Sequence, residues 1–136
     1  MRTEGPKPVH ILYADDDEDD RMFFREAIGQ SKLKVLLTIV DNGEKVLDFV
    51  TKNDGWAHVV FLDVNMPRMN GEECLIQLKN DFRFKNIPVV MLSTSTYEKH
   101  KFISIGANYF LSKTDFNMNP VEMLTYVLNK QYGVAL

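Results

Sequence analysis

Cysteine is almost absent from this chain, since Cys74 is the single cysteine. One thiol cannot build a disulfide framework, so the sequence favours a reducing compartment. Because Leu75 and Leu78 lie close to it in the sequence, Cys74 is better explained as a small buried hydrophobic residue than as a reactive thiol.

Long apolar runs and basic runs are absent as well. No segment approaches the about 20 apolar residues of a membrane-spanning helix, and residues 1–8 have no apolar core of the signal-peptide kind. The net charge is −3, with no run of lysine and arginine. Nucleic acid and anionic membranes are therefore not expected partners, and a cytoplasmic location is the simplest expectation.

The chain has no internal repeat, low-complexity tract or linker. Its 136 residues, 45% of them hydrophobic and 26% charged, suit one domain with a full core. We expect a single domain over residues 1–136, with a core at about 9–132 and an N-terminal extension at 1–8. Few residues follow the last predicted helix, so no covalent output domain is expected.

An apolar strand followed by an amphipathic segment recurs five times. The predicted strands are Val9–Ala14, Lys34–Val40, Ala57–Leu62, Pro88–Ser93 and Asn108–Ser112. Strict alternation with short connections predicts a parallel sheet with helices on both faces. The fold class is therefore α/β, a flavodoxin-like (βα)5 domain with a doubly wound five-stranded sheet in the order 2-1-3-4-5.

The helices are predicted from their apolar spacing and their end signals. Asn70-Gly71 precedes the third helix, Gly106 ends a weaker fourth helix over 94–105, and Asn119-Pro120 begins the fifth. The side chains expected to face the sheet are Met22, Phe23, Ala27, Ile28, Val46, Leu47, Val50, Cys74, Leu75, Leu78, Leu124, Val127 and Leu128. The carboxylates of Asp19 and Asp20 are sufficiently explained as first-turn residues that suit the helix dipole.

The third strand is the most informative segment of the sequence. Val59-Val60-Phe61-Leu62 is an uninterrupted apolar run of the kind that is buried on both faces of a sheet. It leads directly into Asp63, and Pro67 ends regular structure soon afterwards. A carboxylate at the end of a buried strand is costly unless it is used, and ligands of such sheets bind at this edge.

Chemically matched residues follow the other strands. Asp15-Asp16 follows the first strand, Ser93 ends the fourth, and Lys113 follows the fifth. In the predicted strand order the three carboxylates converge, and their mutual repulsion would raise their pKa values unless a Mg²⁺ or Mn²⁺ ion bound there. Together with a lysine charge and a hydroxyl, this set suits phosphoryl transfer onto Asp63.

Each of these residues also has a simpler explanation. Asp15 and Asp16 alone are equally well explained as solvated helix-start charges, Ser93 as a helix cap, Lys113 as a surface charge and Asn65 as a turn residue. Their joint occurrence at four strand ends is what favours a site.

Four segments resemble the receiver domain of two-component response regulators, of which the chemotaxis regulators are the minimal form. The segments are residues 13–17, 61–71, 88–94 and 106–113, and the resemblance extends over about 9–132. The short single-domain build also resembles the regulators that partner phytochrome-type kinases. The resemblance implies a phosphoacceptor that assists its own phosphorylation and dephosphorylation but is not an enzyme in the usual sense.

The roles implied by the resemblance transfer residue by residue. Asp63 is the phosphoacceptor, and Asp15, Asp16, Asp63 and the backbone carbonyl of Asn65 hold Mg²⁺ or Mn²⁺. Ser93 is the switch hydroxyl and Lys113 pairs with the phosphoryl group. Phe110 occupies the switch-aromatic position without the usual hydroxyl, and Thr94 stands where a smaller residue is common.

One departure from the family pattern concerns the residue after the lysine. The family usually has a cis proline there, whereas this chain has Thr114. A non-proline cis bond costs about 3–4 kcal/mol. We therefore expect either a trans bond with a rearranged loop or a strained cis bond, and the position of the Lys113 ammonium is less well predicted.

The implied partners are a histidine kinase or phosphotransfer protein and a downstream protein target. The target would contact a face formed by the fourth helix, fifth strand and fifth helix, for which the candidate aromatic residues are Tyr97, Phe102, Tyr109 and Tyr126. A non-phosphorylated binding scaffold is one alternative. An aspartate-nucleophile phosphatase is another, although Asn65 stands where such enzymes need an acid.

Overall fold

The computed structural model describes residues 8–114 and 119–133. The strands are β1 (Val9–Ala14), β2 (Val35–Val40), β3 (Val59–Asp63), β4 (Val89–Ser93) and β5 (Tyr109–Ser112). The helices are α1 (Glu18–Gln30), α2 (Gly43–Lys52), α3 (Gly71–Asn80), α4 (Lys99–Ile105) and α5 (Pro120–Tyr132), with a 3-10 turn at Thr96–Glu98 before α4.

The five strands form one parallel sheet in the order β2-β1-β3-β4-β5. This confirms the predicted fold class and strand order. β3 and β4 are buried along their whole length, as expected for central strands between two helical layers. β2 is an edge strand with half-exposed residues, Leu36 among them.

Two separate apolar clusters cover the two faces of the sheet. One contains side chains of α2, α3 and α4, including Val46, Leu75 and Phe102. The other contains side chains of α1 and α5, including Phe24 and Leu124. The chain therefore forms three layers, and the carboxyl edge of the sheet, where β3 ends at Asp63, lies between the two helical layers.

The inward face of α1 differs from the prediction. Met22 and Phe23 are about half exposed, at 50% and 49%, whereas Phe24 and Ile28 are buried. Because Phe24 and Ile28 are four residues apart, they lie on one face of the helix, and three consecutive apolar residues cannot all face the sheet. The predicted inward positions Val46, Val50, Cys74, Leu75, Leu78, Leu124, Val127 and Leu128 are confirmed as buried, and Leu47 packs against the same core while partly exposed.

Helix ends follow the predicted signals. Asn70 caps α3 in a reciprocal capping box with Glu73, and Asn119 caps α5. Gly106 ends α4 with a φ of 130°, a backbone conformation that favours glycine. The Asn70 cap fixes the start of α3 directly after the loop that follows Asp63.

The amino end of the sheet carries an aromatic cluster. The indole of Trp56 packs edge-on against the buried ring of His10, with ring centroids 4.5 Å apart. His10 Nε2 lies 3.0 Å from Thr38 Oγ1. This cluster precedes β3, and Asp63 lies at the opposite end of that strand.

Among the residues described, no helix is long and apolar enough to cross a membrane. Cys74 is fully buried, and burial raises the pKa of its thiol to about 12. The interpretation of Cys74 as a core residue is confirmed.

Candidate functional site

Three carboxylates meet at the carboxyl edge of the sheet. Because β1 and β3 are neighbours with Ala14 opposite Leu62, Asp15 and Asp63 follow in adjacent positions. Asp15, Asp16 and Asp63 each offer an oxygen within 4.8 Å of the others. Asp15 and Asp63 are buried and Asp16 is exposed. The predicted convergence is therefore present in the structure.

The electrostatic cost of this arrangement falls mainly on Asp63. Burial, followed by the nearby charge of Asp15, raises the pKa of Asp63 to about 7. Lys113 opposes this rise by attraction and by a hydrogen bond, and Asp16 adds to it. Asp63 therefore keeps its proton to a higher pH than an ordinary carboxyl group, and a further cation at the site would favour its ionised form.

Lys113 joins three carboxylates around one ammonium group. Its Nζ lies 2.6 Å from Asp15 Oδ2, 2.8 Å from Asp20 Oδ2 and 3.0 Å from Asp63 Oδ1. Its side chain is only 7% exposed. Burial alone would lower the pKa of Lys113, but the bonds to these acids outweigh it and raise the pKa above its usual value.

The main chain positions Lys113 without a cis peptide. The Lys113–Thr114 bond is trans, and the Lys113 N–H donates to the Ser93 carbonyl over 2.7 Å. Thr114 Oγ1 lies 3.0 Å from Ser112 Oγ and 3.4 Å from the Thr94 carbonyl oxygen. Of the two conformations expected for this bond, the trans form is correct, and the ammonium still reaches Asp63.

Asp15 has the most protein partners of the three carboxylates. Its Oδ2 accepts from the Tyr13 hydroxyl over 2.6 Å in addition to Lys113, and its Oδ1 accepts from the Asp17 N–H over 3.0 Å. Burial, followed by the bond to Asp15, raises the pKa of Tyr13, whose ring stacks on Phe24. Asp16 and Asp63 are consequently the carboxylates with more freedom to take a new ligand.

Asp20 and Tyr13 are site residues that sequence reasoning missed. Asp20 does lie in the first turn of α1, where Asp17 caps its N–H, but its side chain also binds Lys113. The sequence has no signal that separates Asp20 from the other carboxylates in the first turn of α1. Strand alternation places the Tyr13 ring on the side of the sheet that α1 and α5 cover. The sequence has no signal for the hydrogen bond from its hydroxyl to Asp15.

The Ser93 hydroxyl is hydrogen-bonded to the segment that follows β4. Ser93 is buried, and its Oγ donates to Glu98 Oε2 over 3.0 Å and accepts from the Ser95 N–H over 3.0 Å. The next residue, Thr94, is exposed. The predicted switch hydroxyl therefore ends β4 as expected but is held by a residue of the 3-10 turn.

The remaining predicted site residues are Asn65, in the loop after β3, and Phe110, on β5. Asn65 is exposed two positions beyond Asp63, and Phe110 is partly buried against the core on the α2–α4 side of the sheet. Gly71 begins α3, and a Cβ placed there would lie 2.2 Å from the Asp63 carbonyl oxygen. The close approach of this helix start to the strand end requires glycine.

The aromatic residues predicted for a partner-binding face divide into two groups. Tyr97 is 95% exposed, Tyr126 is about half exposed, and Tyr109 contacts Tyr126 edge-on. Phe102 is 1% exposed and belongs to the core. The prediction for Phe102 is wrong, because the inward face of the short α4 needs one large apolar anchor and Phe102 supplies it.

The donor set is suitable for a divalent metal ion. The carboxylate oxygens of Asp15, Asp16 and Asp63 are hard ligands, and Asp16 is open to solvent. Burial and the neighbouring charge of Asp15 raise the pKa of Asp63, and a bound cation would oppose that rise. Magnesium and manganese both prefer such oxygen ligands.

Comparisons with known proteins agree with this geometry. The response regulator receiver domain family matches residues 11–127. The chain is 34% identical over 110 residues to the two-component response regulator ORR3 of Oryza sativa subsp. japonica, covering 79% of this chain and 81% of that protein. It is 30% identical over 120 residues to ARR6 of Arabidopsis thaliana, which covers 80% of this chain and 63% of ARR6, so it spans less than two thirds of that relative.

A solved structure of the Mn(2+)-bound form of response regulator Rcp1 is also similar. The TM-score is 0.78 with 25% sequence identity, over 95% of this chain and 99% of that chain. The family match over residues 11–127 includes Asp15, Asp63 and Lys113.

Proposed function

Because this chain belongs to the response regulator receiver domain family of two-component signalling, we propose that it accepts a phosphoryl group on Asp63. Receiver domains of this family interact with histidine kinases or phosphotransfer proteins. The observation that carries the proposal is the contact of the Lys113 ammonium with Asp63 inside a cluster of three carboxylates. A buried nucleophile, a fixed positive charge and a set of cation ligands at one point are what transfer to a carboxylate needs.

The proposed donor is a phosphohistidine of a sensor kinase or phosphotransfer protein. An Asp63 carboxylate oxygen forms a bond to phosphorus, and the phosphorus–nitrogen bond to the imidazole breaks. The electron pair of the broken bond stays on the imidazole nitrogen, which takes up a proton. The product on this chain is an acyl phosphate.

This chain's own residues would orient and neutralise the transferred group. Lys113 is already within hydrogen-bonding distance of Asp63, so its ammonium is placed to pair with a phosphoryl oxygen. Ser93 supplies a hydroxyl from the adjacent strand end. Asp15, Asp16, Asp63 and the Asn65 carbonyl would hold Mg²⁺ or Mn²⁺, which when bound supplies positive charge to the phosphoryl oxygens.

The proposed output is a change in the face formed by α4, β5 and α5. The acyl phosphate biases a two-state equilibrium of these elements through Ser93 and Phe110, and the exposed Tyr97 and Tyr126 contact the downstream protein. The chain acts as a phosphoacceptor that assists its own phosphorylation and dephosphorylation. A single domain and a cytoplasmic location remain predictions.

The direct test is incubation with acetyl phosphate and Mg²⁺, followed by intact mass measurement. We expect wild-type protein to gain one phosphoryl group, and Asp63→Asn to gain none while keeping its fold by circular dichroism. Asp48→Asn, which alters an exposed carboxylate on α2, is the matched control and should be labelled like wild type. Acid-stable label on Asp63→Asn, or no label on wild type, would contradict the proposal; turnover of a phosphate ester would support a phosphatase instead.

A further inference from the structure

The Ser93 hydroxyl can donate only one hydrogen bond, and in this structure it donates that bond to Glu98. Ser93 Oγ donates to Glu98 Oε2 over 3.0 Å, and the N–H of Ser95 donates to the same Oγ over 3.0 Å. A serine hydroxyl has one donor and two acceptor positions. The hydroxyl therefore cannot donate to a phosphoryl group on Asp63 until it leaves Glu98.

The carboxylate of Glu98 does not cap the helix that it precedes. Glu98 ends the 3-10 turn and precedes α4, but its side chain forms no capping hydrogen bond. The turn itself is capped by Ser95, whose Oγ accepts from the Tyr97 N–H over 3.3 Å. The bond to Ser93 is thus the contact that holds Glu98 against the end of β4.

A phosphoryl group on Asp63 would compete with Glu98 for the same proton and repel its charge. Such a group carries about −1.5 to −2 charges at pH 7 and strong acceptor oxygens. Glu98 carries a like charge one hydrogen bond away from Ser93. Movement of the hydroxyl toward the phosphoryl group and departure of Glu98 are consequently linked.

We propose that Glu98 is a positioning residue that holds the Ser93 hydroxyl in its unphosphorylated orientation, and that phosphorylation of Asp63 acts on the 3-10 turn by breaking the Ser93–Glu98 hydrogen bond. This inference rests on the proposed function. It identifies the 3-10 turn as the segment that responds to phosphorylation, and Tyr97, the neighbour of Glu98 in that turn, is 95% exposed.

The structure also contains an alternative partner for the released carboxylate. Lys101 lies three residues further along α4, where helical neighbours face each other. Its pKa is raised first by a hydrogen bond to Glu72 and also by the charge of Glu98. This exposed ammonium, already paired with Glu72, would attract a freed Glu98 carboxylate.

The test measures the affinity for beryllofluoride with Mg²⁺ by calorimetry, because this probe mimics the phosphoryl group without turnover. The Ser93–Glu98 hydrogen bond must break before Ser93 can donate to the probe, so its removal should favour binding. We expect Glu98→Ala to bind beryllofluoride about 5–10-fold more tightly than wild type. Glu98→Gln, which keeps an acceptor without the charge, should give a smaller increase and protects the test if the alanine variant folds poorly. Glu122→Ala, an exposed glutamate in the first turn of α5, is the matched control and should bind like wild type.

A double-mutant cycle separates this role from a general effect of charge. In a Ser93→Ala background, Glu98→Ala should change the affinity by less than about 2-fold, since the bond it breaks is already absent. The Ser95 amide resonance of the probe-free protein should shift in Glu98→Ala, because its acceptor hydroxyl is released.

The outcomes distinguish the inference from the function on which it rests. If wild type itself does not bind beryllofluoride, the proposed function fails. If wild type binds and Glu98→Ala or Glu98→Gln binds no more tightly, the inference about Glu98 is overturned. An equal increase in the Ser93→Ala background would also overturn it, since Glu98 would then act through its charge alone.

Discussion

The Nζ of Lys113 lies 3.0 Å from Oδ1 of Asp63, although the two residues come from strands that are not neighbours in the sheet. β4 separates β3 from β5, so the lysine side chain must extend across the end of β4 to reach the acid. Its ammonium also contacts Asp15, which follows β1, and Asp20, which lies in the first turn of α1. One ammonium therefore compensates charges from three segments of the chain.

Removal of this ammonium should destabilise the fold and make Mg²⁺ a stronger stabiliser. Lys113→Met leaves Asp15 and Asp63 buried without their cation, and we expect the free energy of unfolding to fall by about 3 kcal/mol. Saturating Mg²⁺ should recover more stability in this variant than in wild type. Urea denaturation with and without Mg²⁺ measures both effects.

The control is Lys52→Met, because Lys52 pairs with Asp48 on the surface with a side chain that is 73% exposed. An exposed pair of this kind contributes about 0–1 kcal/mol. If the two variants lost equal stability, the buried cluster would not have the energetic role assigned to it.

Asp16 and Asp17 should differ sharply in their effect on Mg²⁺ binding. Asp16 belongs to the carboxylate cluster, whereas Asp17 caps α1 by accepting from the Asp20 N–H. We expect Asp16→Ala to weaken Mg²⁺ binding by more than about 10-fold. Asp17→Ala should change it little but cost about 1 kcal/mol of stability as a lost cap. Calorimetric titration and urea denaturation measure the two quantities; equal losses of affinity would show that the pair is misassigned.

The stability of the metal-free protein should depend on pH through Asp63. Burial and Asp15 raise its folded pKa to about 7, against 3.8 for an ordinary carboxyl. Between these values the folded state holds a proton that the unfolded chain has released, so the free energy of unfolding falls as pH rises. Asp63→Asn has no such proton to lose, so its free energy of unfolding should exceed that of wild type at high pH. The difference should be absent below about pH 4 and reach roughly 1–3 kcal/mol above pH 7.

Urea denaturation of both proteins in EDTA, from pH 4 to pH 8, gives this difference directly. Mg²⁺ should reduce it, because a bound cation favours the ionised Asp63. A difference that stayed constant across the range would show that Asp63 titrates as an ordinary surface acid.

Two glycines should respond oppositely to replacement by alanine. At Gly71 a Cβ would lie 2.2 Å from the Asp63 carbonyl oxygen, so the helix start or the strand end must shift, and we expect a loss of about 1–3 kcal/mol and weaker Mg²⁺ binding. At Gly29, within α1, nothing lies within 4 Å, and alanine should add about 0.5–1 kcal/mol. Thermal unfolding of the two variants compares them under one condition.

The sequence was sufficient for the sheet because each strand is an apolar run bounded by turn or cap residues. The convergence of Asp15, Asp16 and Asp63 then follows from strand order, whereas the approach of Lys113 also depends on the length of its side chain. Errors arose where side-chain direction within a helix decides the outcome. Met22, Phe23 and Phe24 are consecutive, so composition does not show which of them faces the sheet.

Details of the site depend on side-chain reach, which strand order does not specify. The bond from Ser93 to Glu98 depends on a tight 3-10 turn that was predicted as part of a continuous helix. The bond from Lys113 to Asp20 depends on the extended lysine conformation, for which the sequence has no signal. Both contacts are therefore visible only in the three-dimensional structure.

The placement of Trp56 determines which optical signals this protein can give. It is the single tryptophan of the chain, and it packs on His10 at the far end of β3 from Asp63. Its emission should follow loss of the core during denaturation and remain nearly constant when a cation or a phosphoryl mimic occupies the opposite edge. A fluorescent reporter of activation would need a second indole, introduced beside the turn that carries Tyr97.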